Sequence, residues 1–208
     1  MKKVFKLTVV LVSAAVLAVS CGGPKPEKTI ENLKAAITGE TNASATYLAY
    51  SVRAAEEGFP NISRMFAAAA EAEAIHVKNH NAVLAKLREP AFNPAPDAPT
   101  VNTTAENLQA AIEGETYEFE VMYPAFLADA EAEKSKRAIT TFIWARDSEA
   151  THARLYAQAL AILMATGSDE GVASVWYVCP KCGDLFDTLE GVNNCPLCAT
   201  KPSAFLRF

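Results

Sequence analysis

The chain has 208 residues, 50% hydrophobic and 21% charged, with 24 acidic against 19 basic side chains and a net charge of −5. That is enough chain for one good-sized core plus a small appendage. An acidic chain without a basic stripe lends no support to nucleic acid as a partner.

Residues 1–21 have the pattern of an export signal. Lys2, Lys3 and Lys6 precede an apolar run from Leu7 to Val19 that is short for a membrane span. Removing those three lysines leaves 16 basic against 24 acidic residues, a net charge of −8. Ala18-Val19-Ser20 places small residues before Cys21, a pattern similar to bacterial lipoprotein signals, with Cys21 as the lipidated first residue. Ordinary cleavage after Ser20 and an uncleaved anchor are the alternatives. Lipidation would place the protein outside the cytoplasm, at the periplasm or cell surface, held to the membrane by acyl chains alone. Residues 22–28 then form a tether.

From residue 29 the chain repeats itself. The stretch from Glu31 to Thr41 returns as Glu106 to Thr116 at an offset of 75, whereas Glu73-Ala-Ile-His76 returns as Glu149-Ala-Thr-His152 at an offset of 76. One residue is therefore inserted between the two motifs, and each repeat reads as a helical hairpin. Gly58-Phe59-Pro60 breaks the first helix, and the second runs from about Ile62 to Arg88, ahead of Pro90. Pro94, Pro96 and Pro99 suit a stiff crossover, and Thr103-Thr104-Ala105-Glu106 is a capping box opening the third helix. Pro124 falls inside that helix and should bend it or widen one turn. Its turn into the fourth helix lies within Ala130–Ser135. The fourth helix ends near Gly167, which gives a bundle over 29–167 and a linker over 168–174.

Glu-x-x-His puts one carboxylate and one imidazole on the same helix face. Two such helices, with one further glutamate on each of the other two, make the ligand set of a two-metal carboxylate centre in a four-helix bundle. Glu40 and Glu115, each in a Gly-Glu-Thr triplet, are those glutamates. Glu118 lies one turn beyond Glu115 and has Ala43 as its counterpart, which makes it a seventh ligand available to one metal only. So many carboxylates in one core without cations would repel each other and lack solvation. His80, one turn after His76, has no histidine at its repeat position and is expected at the surface.

Over 175–208, Cys179-Pro-Lys-Cys182 and Cys195-Pro-Leu-Cys198 are two knuckles able to close a tetrahedral four-thiolate site. Iron and zinc both accept that geometry, and disulfides are the competing explanation. So small a module needs its metal in order to fold.

These features together resemble the rubrerythrin family over about residues 28 to 208. The fold implied is mainly α, a ferritin-like four-helix bundle followed by a small rubredoxin-like (zinc-ribbon) knuckle module. The resemblance implies two non-haem irons, bridged by Glu73 and Glu149 and held terminally by Glu40, Glu115, Glu118, His76 and His152. A third iron, or zinc in its place, belongs on Cys179, Cys182, Cys195 and Cys198. One iron is expected to exchange Glu118 for His76 on reduction, and Tyr47 and Tyr123 to hydrogen-bond the carboxylates. The implied activity is reduction of hydrogen peroxide to water, with electrons from a rubredoxin or reductase passing through the four-thiolate site. Because the knuckles of one subunit would lie far from its own bundle site, a head-to-tail homodimer is expected. A ferritin-like ferroxidase and a non-catalytic metal-binding lipoprotein are the other readings, and the export signal is a departure from the family pattern.

Overall fold

The computed structural model describes residues 25–208. The export signal, Cys21 and the first part of the tether lie outside the described residues. Helix α1 spans Glu27–Glu56, α2 Pro60–Lys86, α3 Thr104–Tyr117, α4 Tyr123–Ala132 and α5 Lys136–Thr166. A π turn over Glu118–Met122 joins α3 to α4 into one continuous arm. The first helix begins two residues ahead of the expected bundle boundary, because Pro26 starts it and a distant carboxylate caps it. Glu133, in the α4–α5 turn, accepts from the amides of Lys28 and Thr29 at 3.1 and 2.7 Å. Its repeat counterpart Glu57, in the α1–α2 turn, accepts from Thr104 N at 2.8 Å. Each hairpin turn thus satisfies orphan amides opening the other hairpin. Thr103 and Glu106 form the expected capping box.

The π turn accounts for the unequal offsets. Glu40 lies 16 residues before the end of α1 at Glu56, and Glu115 lies 17 before the end of α4 at Ala132. Both hairpin turns contain three residues, and Pro60 to Glu73 matches Lys136 to Glu149 at 13. The inserted residue therefore sits in the helical arm, where Tyr123 N reaches back five residues to Glu118 O. Pro124 follows at once, and the widened turn relieves the clash its ring would cause in a regular helix.

The helices bury two apolar clusters. One gathers Tyr47, Tyr50, Phe66, Leu155 and Tyr156; the other gathers Leu33, Ile37, Leu84, Tyr123 and Phe142. Each wholly buried large side chain contributes about 1.5–3 kcal/mol. Beyond α5, strands β1 (Tyr177–Val178), β2 (Leu185–Phe186) and β3 (Leu206–Arg207) form an antiparallel sheet in the order β2-β1-β3. This small knuckle module packs directly on the bundle. Trp176, Val178 and Leu185 belong to the first bundle cluster, since so few residues cannot build a core of their own. The 168–174 segment is fixed too. Asp169 Oδ2 accepts from Asn61 N at 2.6 Å and Ile62 N at 3.2 Å, capping α2. Among the described residues no helix is long and apolar enough to cross a membrane.

Candidate metal centre

All six candidate ligands of the repeated pattern meet in the middle of the bundle. Ligand atoms of Glu40, Glu73, His76 and Glu149 lie within 4.8 Å of one another, and so do those of Glu73, Glu115, Glu149 and His152. Glu73 and Glu149 belong to both sets, and their oxygens divide accordingly. His76 Nδ1 is 2.9 Å from Glu73 Oε2 and 3.0 Å from Glu149 Oε1. His152 Nδ1 is 3.1 Å from Glu73 Oε1 and 2.9 Å from Glu149 Oε2. Each of these carboxylates offers one oxygen to each half of the site, the arrangement a bridging ligand requires. Small residues around them, Ala68, Ala69, Ala72 and Ala145, are buried and let the helices approach closely.

The donor set fits two cations. Glu40 Oε2, both oxygens of Glu73 and Glu149, and Nδ1 of His76 and His152 are buried without a hydrogen-bond partner, and all belong to the ligand groups. The protein's charges alone leave the site unbalanced. Burial, and then the charges of Glu118, Glu149 and Glu73, push Glu40 well above the usual carboxylate range. Burial with Glu73 and Glu149 lifts Glu115 to about 8. Burial opposes ionisation of Glu73, but His152 and His76 outweigh it and bring that carboxyl down to about 2. Burial likewise opposes a charge on His76, and Glu149 and Glu73 overcome it to raise the imidazole to about 10. Bound cations would replace these protons.

The outer contact of His76 sets its tautomer once a cation takes the place of its second proton. His76 Nε2 lies 2.9 Å from Cys182 O, which can only accept, so the hydrogen sits on Nε2 and the Nδ1 lone pair faces the site. His152 Nε2 is 3.2 Å from Ser148 Oγ. Tyr47 donates to Glu115 Oε1 at 2.6 Å, and Tyr123 donates to Glu40 Oε1. Glu118 stands outside both four-residue sets. It lines a cavity of about 200 Å³ with Tyr47, Gly114 and Glu115, and its Oε1 lies near Gly39. His76, not Glu118, completes the set on that side.

The four cysteines form a third cluster, with Cys179 Sγ 3.4 Å from Cys198 Sγ and Cys182 Sγ 3.4 Å from Cys195 Sγ. Those separations are far beyond a disulfide bond, and all four thiols are free. The expectation that the knuckles lie far from their own bundle site is overturned. Cys182 O bonds His76, Asn79 Nδ2 donates to Lys181 O at 2.8 Å, and Lys181 Nζ sits over the Trp144 ring. Gly183 permits this approach, because any Cβ there would lie 2.3 Å from His76 Nε2.

His80 does not lie at the surface, where its lack of a repeat partner places it in the sequence. It is wholly buried between Tyr123 and Thr141. Its spacing of four from His76, on the ligand-bearing face, was the available signal.

The rubrerythrin family model matches residues 31–160. Nigerythrin of Nitratidesulfovibrio vulgaris is 36% identical over 180 residues, covering 86% of each chain. Rubrerythrin-2 of Clostridium acetobutylicum is 36% identical over 188 residues, covering 88% of this chain and 98% of that protein. The chain belongs to the rubrerythrin family. A solved structure of nigerythrin in a fully reduced, all-ferrous state superposes with a TM-score of 0.78 at 34% identity, covering 93% of this chain and 91% of that one. As a rubrerythrin, the chain is a diiron-type oxidoreductase, with a carboxylate and histidine set suited to two non-haem irons in its bundle and a four-cysteine cluster suited to one rubredoxin-like iron, or zinc in its place.

Proposed function

We propose that this protein reduces hydrogen peroxide to water, using electrons that a donor protein delivers through the four-cysteine iron. One imidazole carries the reading. His76 faces Glu73 and Glu149 with Nδ1 and donates from Nε2 to Cys182 O, so a single ring joins the two metal sites within one chain. Iron held by the bundle residues would supply the two electrons, and iron held by the four cysteines would restore them one at a time.

The side chains supply the rest. Glu73 and Glu149 would each serve both irons, with Glu40 and His76 holding one and Glu115 and His152 the other. Tyr47 and Tyr123 orient the terminal carboxylates through their hydroxyls. Glu118, outside both sets, would be a further carboxylate available to the His76-side iron when the centre is oxidised, since a carboxylate suits the higher charge and an imidazole the lower. The cavity of about 200 Å³ beside Glu115 and Glu118 admits a small oxidant, whereas a mineral store would need far more room. The docked thiolate site would also serve no purpose in a store.

Because the contact exists within one chain, the relay does not require a second subunit. A head-to-tail homodimer that exchanged knuckle modules would keep the same contact. Lipidation at Cys21 and an extracytoplasmic location belong to the same proposal, and Cys21→Ala should release the protein from membranes.

Cys182→Ser tests the relay. Chemically reduced protein should still consume peroxide once, while turnover with a rubredoxin or reductase donor stops. Unchanged turnover would refute the relay, and absence of the strong visible colour of a ferric four-thiolate site would favour a zinc-bearing, non-catalytic protein.

A further inference from the structure

The helical repeat gives each half of the site a second layer of hydrogen bonds, and the two layers differ. In one half Glu115 accepts from Tyr47, and behind Tyr47 stands Tyr156, its ring centroid 5.5 Å away. The Tyr156 hydroxyl is buried with no hydrogen-bond partner among the described residues, amid Phe66 and Leu155. That arm ends in apolar core. In the other half Glu40 accepts from Tyr123, the repeat counterpart of Tyr47 at an offset of 76. Behind Tyr123 stands His80 where the first arm has Tyr156, and beyond it Thr141 where the first arm has the buried Met65. The repeat is broken at two touching positions, both toward polar residues, on one side only.

With Glu40 ionised, as a metal ligand must be, the hydrogen-bond directions in the second arm follow from its first bond. Tyr123 spends its single hydrogen on Glu40 Oε1, so at 3.1 Å it accepts from His80 Nε2–H. His80 Nδ1 then carries a lone pair and accepts from Thr141 Oγ1 at 3.1 Å. Every hydrogen points toward Glu40. Thr141 lines a cavity of about 280 Å³ whose rim includes the exposed Lys86, Arg137 and Thr140. The polar chain therefore runs from a surface cavity to a ligand of the metal site.

We propose that Thr141, His80 and Tyr123 form a proton wire that delivers solvent protons to the His76 side of the site. The inference rests on the peroxidase reading, which needs two protons with its two electrons to turn one peroxide into two waters. In each passage Thr141 gives its hydrogen to His80 Nδ1, Nε2–H passes to the Tyr123 oxygen, and the Tyr123 hydrogen moves to Glu40 Oε1. Water in the surface cavity reprotonates Thr141. His80 gains one proton as it loses another, so it needs no net charge at rest; burial, reinforced by His76, keeps it neutral by lowering it to about 3. His80 acts through Tyr123 and is a relay residue, not a ligand.

The test uses the full iron-loaded chain with His80→Tyr, which copies the closed arm, His80→Gln, and Thr141→Val. All three should bind two irons in the bundle. His80→Tyr and His80→Gln should slow single-turnover oxidation by peroxide by about 100-fold, in the range a positioned proton donor provides. Their solvent deuterium isotope effect should change, and imidazole added to His80→Gly should restore part of the rate. Wild-type rates and isotope effects in His80→Tyr would overturn the wire. A second readout is independent of activity. In zinc-loaded protein, nitrogen NMR of His80 should show a neutral ring protonated at Nε2, with Nδ1 shifting in Thr141→Val. A hydrogen on Nδ1 would overturn the direction of the wire. If wild-type protein ignored peroxide altogether, the peroxidase reading would fall, and the NMR result would still decide the wire.

Discussion

Gly183 sits where the knuckle module meets the bundle, and replacing it by alanine should separate electron delivery from both metal sites. Its φ is 87°, in the left-handed region where a side chain costs about 1–2 kcal/mol. A Cβ there would lie 2.3 Å from His76 Nε2, 2.8 Å from His76 Cδ2 and 3.0 Å from Ala72 O. His76 is held by its carboxylates and cannot yield, so the module must retreat by roughly 1 Å to reach ordinary contact distance. That breaks the 2.9 Å bond to Cys182 O and leaves a buried N–H unpaired, at about 1–3 kcal/mol. The backbone strain is common to the docked and undocked states, so the lost contact alone, about 1–3 kcal/mol, weighs against docking, or roughly 5- to 150-fold in its population at 1.4 kcal/mol per tenfold. Gly191→Ala is the control, since Gly191 has φ 75° with nothing within 4 Å of its Cβ position. Stopped-flow reoxidation of the four-cysteine iron by the oxidised bundle should slow in Gly183→Ala, and amides of Lys181 to Asp184 should exchange faster with solvent. Iron content should not change. Electron transfer and amide exchange equal to those of Gly191→Ala would refute the docking argument.

Glu73→Ala and Glu149→Ala should each abolish loading of both bundle irons, because each residue serves both ligand sets; iron analysis after anaerobic reconstitution checks this. The helices should persist, but the metal-free variants should melt below metal-free wild type, because His76 and His152 each lose a buried carboxylate partner. Metal-free wild type should itself lose stability as pH rises from about 4.5 to 8. Glu115 is held at about 8 against 4.5 when unfolded, so the folded state binds the extra proton across that window and gives it up at the top. His76, raised to about 10, extends the loss upward from pH 6.5, and thermal melts across pH 5 to 9 follow both. Iron-loaded protein should lack this slope. Glu118→Ala should still load two irons, since Glu118 stands outside both sets, yet lower the ratio of peroxide to oxygen reactivity in single turnovers; an unchanged ratio would reduce Glu118 to a charge-balancing neighbour.

The ligands were legible because their chemistry is local in sequence. Glu73 with His76, Glu149 with His152, and the two cysteine pairs each lie three apart, so one helical turn or one knuckle brings them together whatever the remainder of the chain does. The repeat then fixed how the two halves combine. His80 was misread because its partners Tyr123 and Thr141 come from other helices, 43 and 61 residues away, and no spacing within α2 reveals them. The docking of the knuckle module was illegible for a similar reason. Its contacts are a backbone carbonyl, an absent side chain at Gly183 and a shared core around Trp176, none of which leaves a motif.

The offset between the repeats was legible as an insertion but not as a π turn, and its location supports one further prediction. Tyr47 and Ala54 of α1 correspond to Tyr123 and Ala130 at an offset of 76, and all four are buried. Both flanks of the π turn therefore keep the register of a regular helix, and the extra residue is absorbed between them. Deleting the exposed Glu120 should close the turn into ordinary α-helix without rotating either flank. Pro124 would then stand inside a regular helix and cost about 3 kcal/mol. Its counterpart in α1 is Leu48, so adding Pro124→Leu should recover most of that loss. The double variant should fold, bind two irons through the six repeated ligands, and hold Glu118 where Ala43 stands in the first arm. Thermal melts of the deletion with and without Pro124→Leu measure the proline term, and iron analysis measures the site. If the double variant folds but binds no iron, the π turn shapes the metal centre itself and is more than a means of presenting Glu118.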